Sequence, residues 1–178
     1  MIRQPIKYKE DLIIAVFIIL ASIFNIVETA LPRPIPWLRL GLGNIFIISG
    51  IIFFGFKAGL IIGISKLIIS SLFLGTIFSP AFFMGLTGTL LSIIIMSFTW
   101  KYLKKFFSVV GISMLGGVFH NIGQMIVILI IMNFSKALII QFPIIIFFGT
   151  GAGFVIGLIT VSFIKKWEAH FHAPPLTR

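Results

Sequence analysis

The stretch GLGNIFIISGIIFF, residues 41–54, decides how many times this chain crosses a membrane. It is apolar enough to enter a bilayer but shorter than the roughly 20 residues a spanning helix needs. Read as a span it gives six crossings; read as a re-entrant segment it leaves five. Apolar runs broken by charge, proline or glycine predict helices near 12–30, 41–54, 58–74, 80–99, 107–132 and 140–164. With six spans and a cytoplasmic N-terminus, Arg3, Lys7, Lys9, Lys57, Lys101, Lys104, Lys105, Lys165, Lys166 and Arg178 lie inside, against Arg33, Arg39 and Lys136 outside. That asymmetry follows the positive-inside rule, whereas five spans would export the Lys165/Lys166 pair. Six is the count we expect.

Composition sets the class. The 178 residues are 59% hydrophobic and 10% charged, with a mean hydropathy of +1.20, beyond what a soluble domain could bury. The expectation is an all-α integral membrane protein, multi-pass in the cytoplasmic membrane, one domain over 1–178 with both termini cytoplasmic and a polar tail at 165–178. A net charge of +10 would hint at nucleic acid in a soluble protein; here the cations sit mainly at span ends, facing the lipid bilayer, and no nucleic-acid partner is expected. The first run follows Arg3, Lys7 and Lys9, but NIVETALPRP offers no small-x-small cleavage site, so it reads as a retained helix. His170 and His172, in the tail, could bind metal only adventitiously; no metal site and no cofactor are expected.

Against this apolar background, GGVFHNIGQ at 116–124 stands out. At about 100° per residue, Gly116, Gly117, His120, Asn121, Gly123 and Gln124 share one side of a helix, opposite Val118, Phe119, Ile122, Met125 and Ile126. Gly55, Gly59, Gly63, Lys66 and Ser70 form a second stripe; Ala21, Ser22, Asn25, Glu28 and Thr29 form a third. Polar groups converging from several helices mark a bundle interior or cavity. Lys66 lies roughly 12 Å from its helix end, where an ammonium needs a counter-ion, water, ligand or a route to the interface. A Lys66–Glu28 pair stapling two helices is one reading, a ligand site another. For His120 the alternatives are a neutral ring bonded to a neighbouring helix or a place in that site. Glycines spaced by four at Gly55, Gly59, Gly63 and at Gly149, Gly153, Gly157 suit close helix packing or coupling contacts.

The connection LPRPIPWLRLG, 31–41, is stiffened by three prolines, and Trp37 suits the membrane interface. Arg33 and Arg39 place two cations above the outer mouth, and the start of the next helix adds free N–H groups. A ligand held by Asn25, Glu28, Arg33, Arg39, Asn44, Lys66, His120, Asn121 and Gln124 would be small and anionic or amphipathic. Autonomous chemistry is unexpected: the sequence has no GxxxxGK[ST], no HExxH, no cysteine, and a single aspartate, Asp11.

LPRPIPWLRLGLGNI, GFKAGL and GGVFHNIGQ together resemble a membrane family known both as the Gx transporter family and as heptaprenyl diphosphate synthase component I. The similarity runs from the first helix to the sixth. It implies a six-helix bundle similar to the S-components of energy-coupling-factor transporters, which bind vitamins or precursors and borrow a transmembrane coupling subunit and ATPases. The family's other name implies an accessory role beside a soluble prenyl diphosphate synthase. Two departures stand: Ala15 and Ala21 are six apart where S-components carry AxxxA, and aspartate-rich prenyl-synthase motifs are absent. The leading expectation is a substrate-binding transport component; the alternative is an accessory subunit of polyprenyl diphosphate and quinone-precursor synthesis.

Overall fold

The computed structural model describes residues 4–30, 41–134, 136 and 140–171, and six helices of ten or more residues lie among them. They are α1 (Gln4–Ala30), α2 (Asn44–Phe54), α3 (Phe56–Phe73), α4 (Pro80–Leu103), α5 (Val109–Ile131) and α6 (Phe142–Phe171). No strand occurs among the described residues. Five of the helices are long and apolar enough to cross a membrane; α2 is not. With 11 residues it extends about 16 Å, half of a hydrocarbon core of about 30 Å. The short run at 41–54 is thus a half-length helix beside five of spanning length. The helix is shorter still than the apolar run, because GLGN forms a turn, with Asn44 N–H donating to Gly41 C=O at 2.8 Å.

The two outer helices extend beyond their apolar windows. α1 starts at Gln4, because helix propensity carries through the polar stretch ahead of Leu12 once the apolar part is fixed. α6 continues through residues 165–171, so this part of the expected polar tail is helical. Its Trp167 holds the extension down, with ring centroids 5.7 Å from Phe17 and 5.8 Å from Phe53. These rings also place the first half of α1, the end of α2 and the end of α6 at the same end of the bundle. The side chain of His170 and all of His172 lie outside the described residues.

The core is layered. Phe17, Phe46, Ile47, Ile51, Ile62 and Ile93 fill the centre, while Leu12, Phe73, Phe98, Ile130, Ile140 and Phe147 are exposed, as lipid-facing side chains are. On the other side of the bundle, backbones themselves meet. A Cβ at Gly153 would lie 2.6 Å from Met114 Cα, and one at Gly157 would lie 2.7 Å from Val110 Cα. Gly149 abuts Gly117 and Asn121 in the same seam. The Gly149/Gly153/Gly157 stripe is thus the contact line of α6 on α5. A second seam, on which Gly88 and Gly123 meet, joins α4 to α5, a Cβ on Gly123 falling 2.8 Å from Gly88 Cα. In the first stripe Gly59 and Gly63 receive Ile51 and Ile93 side chains. Gly55 differs: its φ of +86° lets the chain turn between α2 and α3, and nothing lies within 4 Å of its would-be Cβ. Its role is backbone geometry, not packing.

Candidate functional site

The half-length helix shapes the site. Gly43, next to its first residue, sits so close to α1 that a Cβ would be 2.7 Å from Ala21 C=O. Ala21 is about two and a half turns before the end of α1, so α2 begins deep in the bundle. A helix N-terminus there exposes N–H groups and a partial positive charge where water is scarce. Glu28 supplies the anion: its carboxylate accepts from Gly41 N–H at 2.8 Å and from Leu42 N–H at 2.9 Å. It is 3% exposed, so both bonds form in a medium where losing them is costly. Gly41 has φ +80°, which a residue with a Cβ seldom adopts, and this turn delivers both N–H groups to Glu28.

Around that turn the polar side chains form a chain of contacts. Lys66 on α3 donates from Nζ to Asn44 Oδ1 at 3.0 Å. Asn25 on α1 donates from Nδ2 to Ser70 Oγ at 2.8 Å, and the Ser70 hydroxyl donates to Lys66 C=O at 2.7 Å. On α5, His120 Nε2 and Gln124 Nε2 lie 2.9 Å apart, a bond that fixes which ring nitrogen carries the proton once the amide is oriented. Asn25, Gly41, Asn44, Lys66, Thr89 and His120 surround a cavity of about 10 Å³. That is room for about one water molecule.

Of the expected site residues, Asn25, Asn44, Lys66 and His120 come together, with Gln124 behind His120. Glu28 joins the cluster through the α2 turn and does not line the cavity. Asn121 faces another way: its Nδ2 donates to Ile145 C=O at 3.0 Å, across the α5–α6 seam. Arg33 and Arg39 lie outside the described residues. Ser70 was on the expected polar stripe with Lys66, whereas sequence reasoning missed Gly41, Gly85 and Thr89 as lining residues. The signal for the α4 pair was present: Gly85, Gly88, Thr89 and Ser92 recur at helical spacing and are all buried. Small uncharged residues at that spacing also serve plain helix packing, so the pattern alone does not mark a site.

Metal-assisted diphosphate chemistry needs several oxygen ligands together, and no group of three or more His, Asp or Glu is close enough to hold a metal among the described residues. What the fold and site define is a multi-pass helical membrane protein with a buried, cross-linked polar cluster at the start of a half-helix. Its family is more particular. The family described as heptaprenyl diphosphate synthase component I matches residues 17–163, and the chain belongs to it. No curated protein and no solved structure matches the chain.

Proposed function

We propose that the chain is a non-catalytic membrane component of a polyprenyl diphosphate synthase assembly, working beside a soluble synthase in the cytoplasmic membrane. The observation that carries this reading is the state of the buried cluster: its polar groups are largely engaged with one another, and the space left is about 10 Å³, far below the several hundred Å³ of a metabolite pocket. Membership of the synthase component I family supports the same assignment. A catalytic partner would supply the carboxylates and magnesium that ionise an allylic diphosphate. This chain would hold that partner, or its lipid product, at the bilayer.

Orientation follows from charge. Lys57, Lys101, Lys104, Lys105, Lys165 and Lys166 fall at one end of the bundle and Lys136 at the other, so the lysine-rich end faces the cytoplasm. The test is genetic: deletion should shorten or deplete the polyprenyl side chain of the quinone pool, and restoring the chain should recover it. An unchanged quinone profile overturns the proposal.

One observation favours a second reading, a transport component similar to S-components. Residues from α1, α2, α3, α4 and α5 converge on a single point, as an occluded ligand site would require. A small anionic solute would then displace Lys66 from Asn44, and movement would come from a coupling subunit and ATPases. Solute uptake lost on deletion, with quinones unchanged, would select this reading over the first.

A further inference from the structure

A second cavity, with different chemistry, lies at the lysine-rich end. It is a groove of about 550 Å³ between the end of α2, the start of α3 and the last turns of α4, within the size range of small-molecule sites. Its walls are apolar: Ile51 and Ile52 from α2, Phe56 from α3, Ile94 and Phe98 from α4. Its rim is cationic. Lys101 Nζ lies 5.1 Å from the centre of the Tyr102 ring and Lys104 Nζ 5.9 Å from the centre of the Trp100 ring. All four residues line the groove, and among the described residues no carboxylate does.

We infer that this groove binds a phosphate-headed lipid of the bilayer, with its hydrocarbon chain along the α2–α4 wall and its phosphate at Lys101 and Lys104. Two observations converge on that occupant. The charge is complementary to a phosphate and uncompensated by any acid in the lining. Stacking over aromatic rings holds each ammonium at the rim, so less side-chain freedom is lost on binding than for a free surface lysine. The turn at Gly55 opens the rim further, since no atom approaches its would-be Cβ, and α3 starts there with no side-chain cap on its N–H groups. Basic pockets between helices at a cytoplasmic face recognise anionic lipid headgroups by the same forces. The groove's chemistry is independent of which assembly the chain joins.

The experiment is native mass spectrometry of the full chain released from nanodiscs containing equal phosphatidylglycerol and phosphatidylcholine. The parent chain should retain phosphatidylglycerol selectively. Lys101→Gln with Lys104→Gln should weaken retention about fivefold per lysine, about twenty-fivefold together, while Lys101→Arg with Lys104→Arg keeps it. Lys165→Gln with Lys166→Gln, at the same end but outside the groove, should change retention little. Both rim lysines are exposed, so unchanged melting of the double variant confirms that the loss is local. Equal retention of both lipids, an equal effect of the Lys165/Lys166 pair, no loss in the rim double variant, or complete displacement by millimolar inorganic phosphate would each overturn the inference. The last would mean a phosphate site with no use for the apolar wall.

Discussion

Replacing Glu28 by alanine separates an architectural carboxylate from a ligand-binding one. Both oxygens are engaged by backbone N–H groups at 2.8 and 2.9 Å, and the side chain is 3% exposed. Truncation leaves two part-buried donors just ahead of a helix N-terminus without an acceptor, at about 1–3 kcal/mol each, and removes the anion that offsets the helix dipole. A total of about 2–6 kcal/mol corresponds to a fall in melting temperature of roughly 5–20 °C for a chain of this size. Glu28→Gln keeps one acceptor oxygen and should lose about half as much. Thermal unfolding in mild detergent, followed by tryptophan fluorescence, reads both. If Glu28→Ala melts within about 1 °C of the parent, the carboxylate does not hold the α2 turn and the reasoning fails.

Other expectations follow from the same contacts. Asn44→Leu removes an acceptor from Lys66 Nζ and should cost about 1–3 kcal/mol; adding Lys66→Met should recover most of it, because no buried ammonium then needs a partner. A double-mutant cycle on melting measures that coupling, and simple additivity would contradict it. Gly153→Leu drives a side chain into the α5 backbone at Met114 and should lower the melting temperature by several degrees, whereas Gly151→Ala, with nothing within 4 Å, should be neutral or slightly stabilising. Gly55→Ala should cost about 1–3 kcal/mol through backbone strain alone, since φ is +86° and ψ −171° at that corner. Asn121→Ala should weaken packing of α6 on α5 by about 1 kcal/mol without affecting ligand or lipid retention, which binding measurements on the folded variant would check.

The contrast between Lys66 and Asn121 marks where the sequence stops being legible. Helical periodicity placed both on polar stripes, and both are buried. For Lys66, on α3, the stripe points to the centre of the bundle, because α1, α2, α4 and α5 surround it. Asn121 is set about 100° away from His120, enough to turn it into the α6 seam, where glycines bring the backbone within reach. Periodicity fixes the direction of a side chain around its own axis but not which neighbour stands there. Glu28 illustrates a second limit. Its placement near the cluster was readable, yet its partners are backbone N–H groups of a turn, which have no signature in side-chain pattern. The start of α2 at Asn44 rather than Gly41 has the same origin: the GLGN turn is apolar enough to look like helix. Gly55 shows a third, since a glycine in a four-residue repeat can serve a corner as readily as a packing seam.

The claim that most needs a direct measurement is that this chain acts as the membrane partner of a soluble prenyl diphosphate synthase. Affinity purification of the tagged full chain from its native membranes, with quantitative mass spectrometry of what accompanies it, addresses that claim without presuming a ligand. The expected result is stoichiometric recovery of an aspartate-rich synthase subunit that elongates isopentenyl units in the purified complex. Recovery of a coupling subunit with paired ATPases instead, and no prenyl elongation, would contradict it.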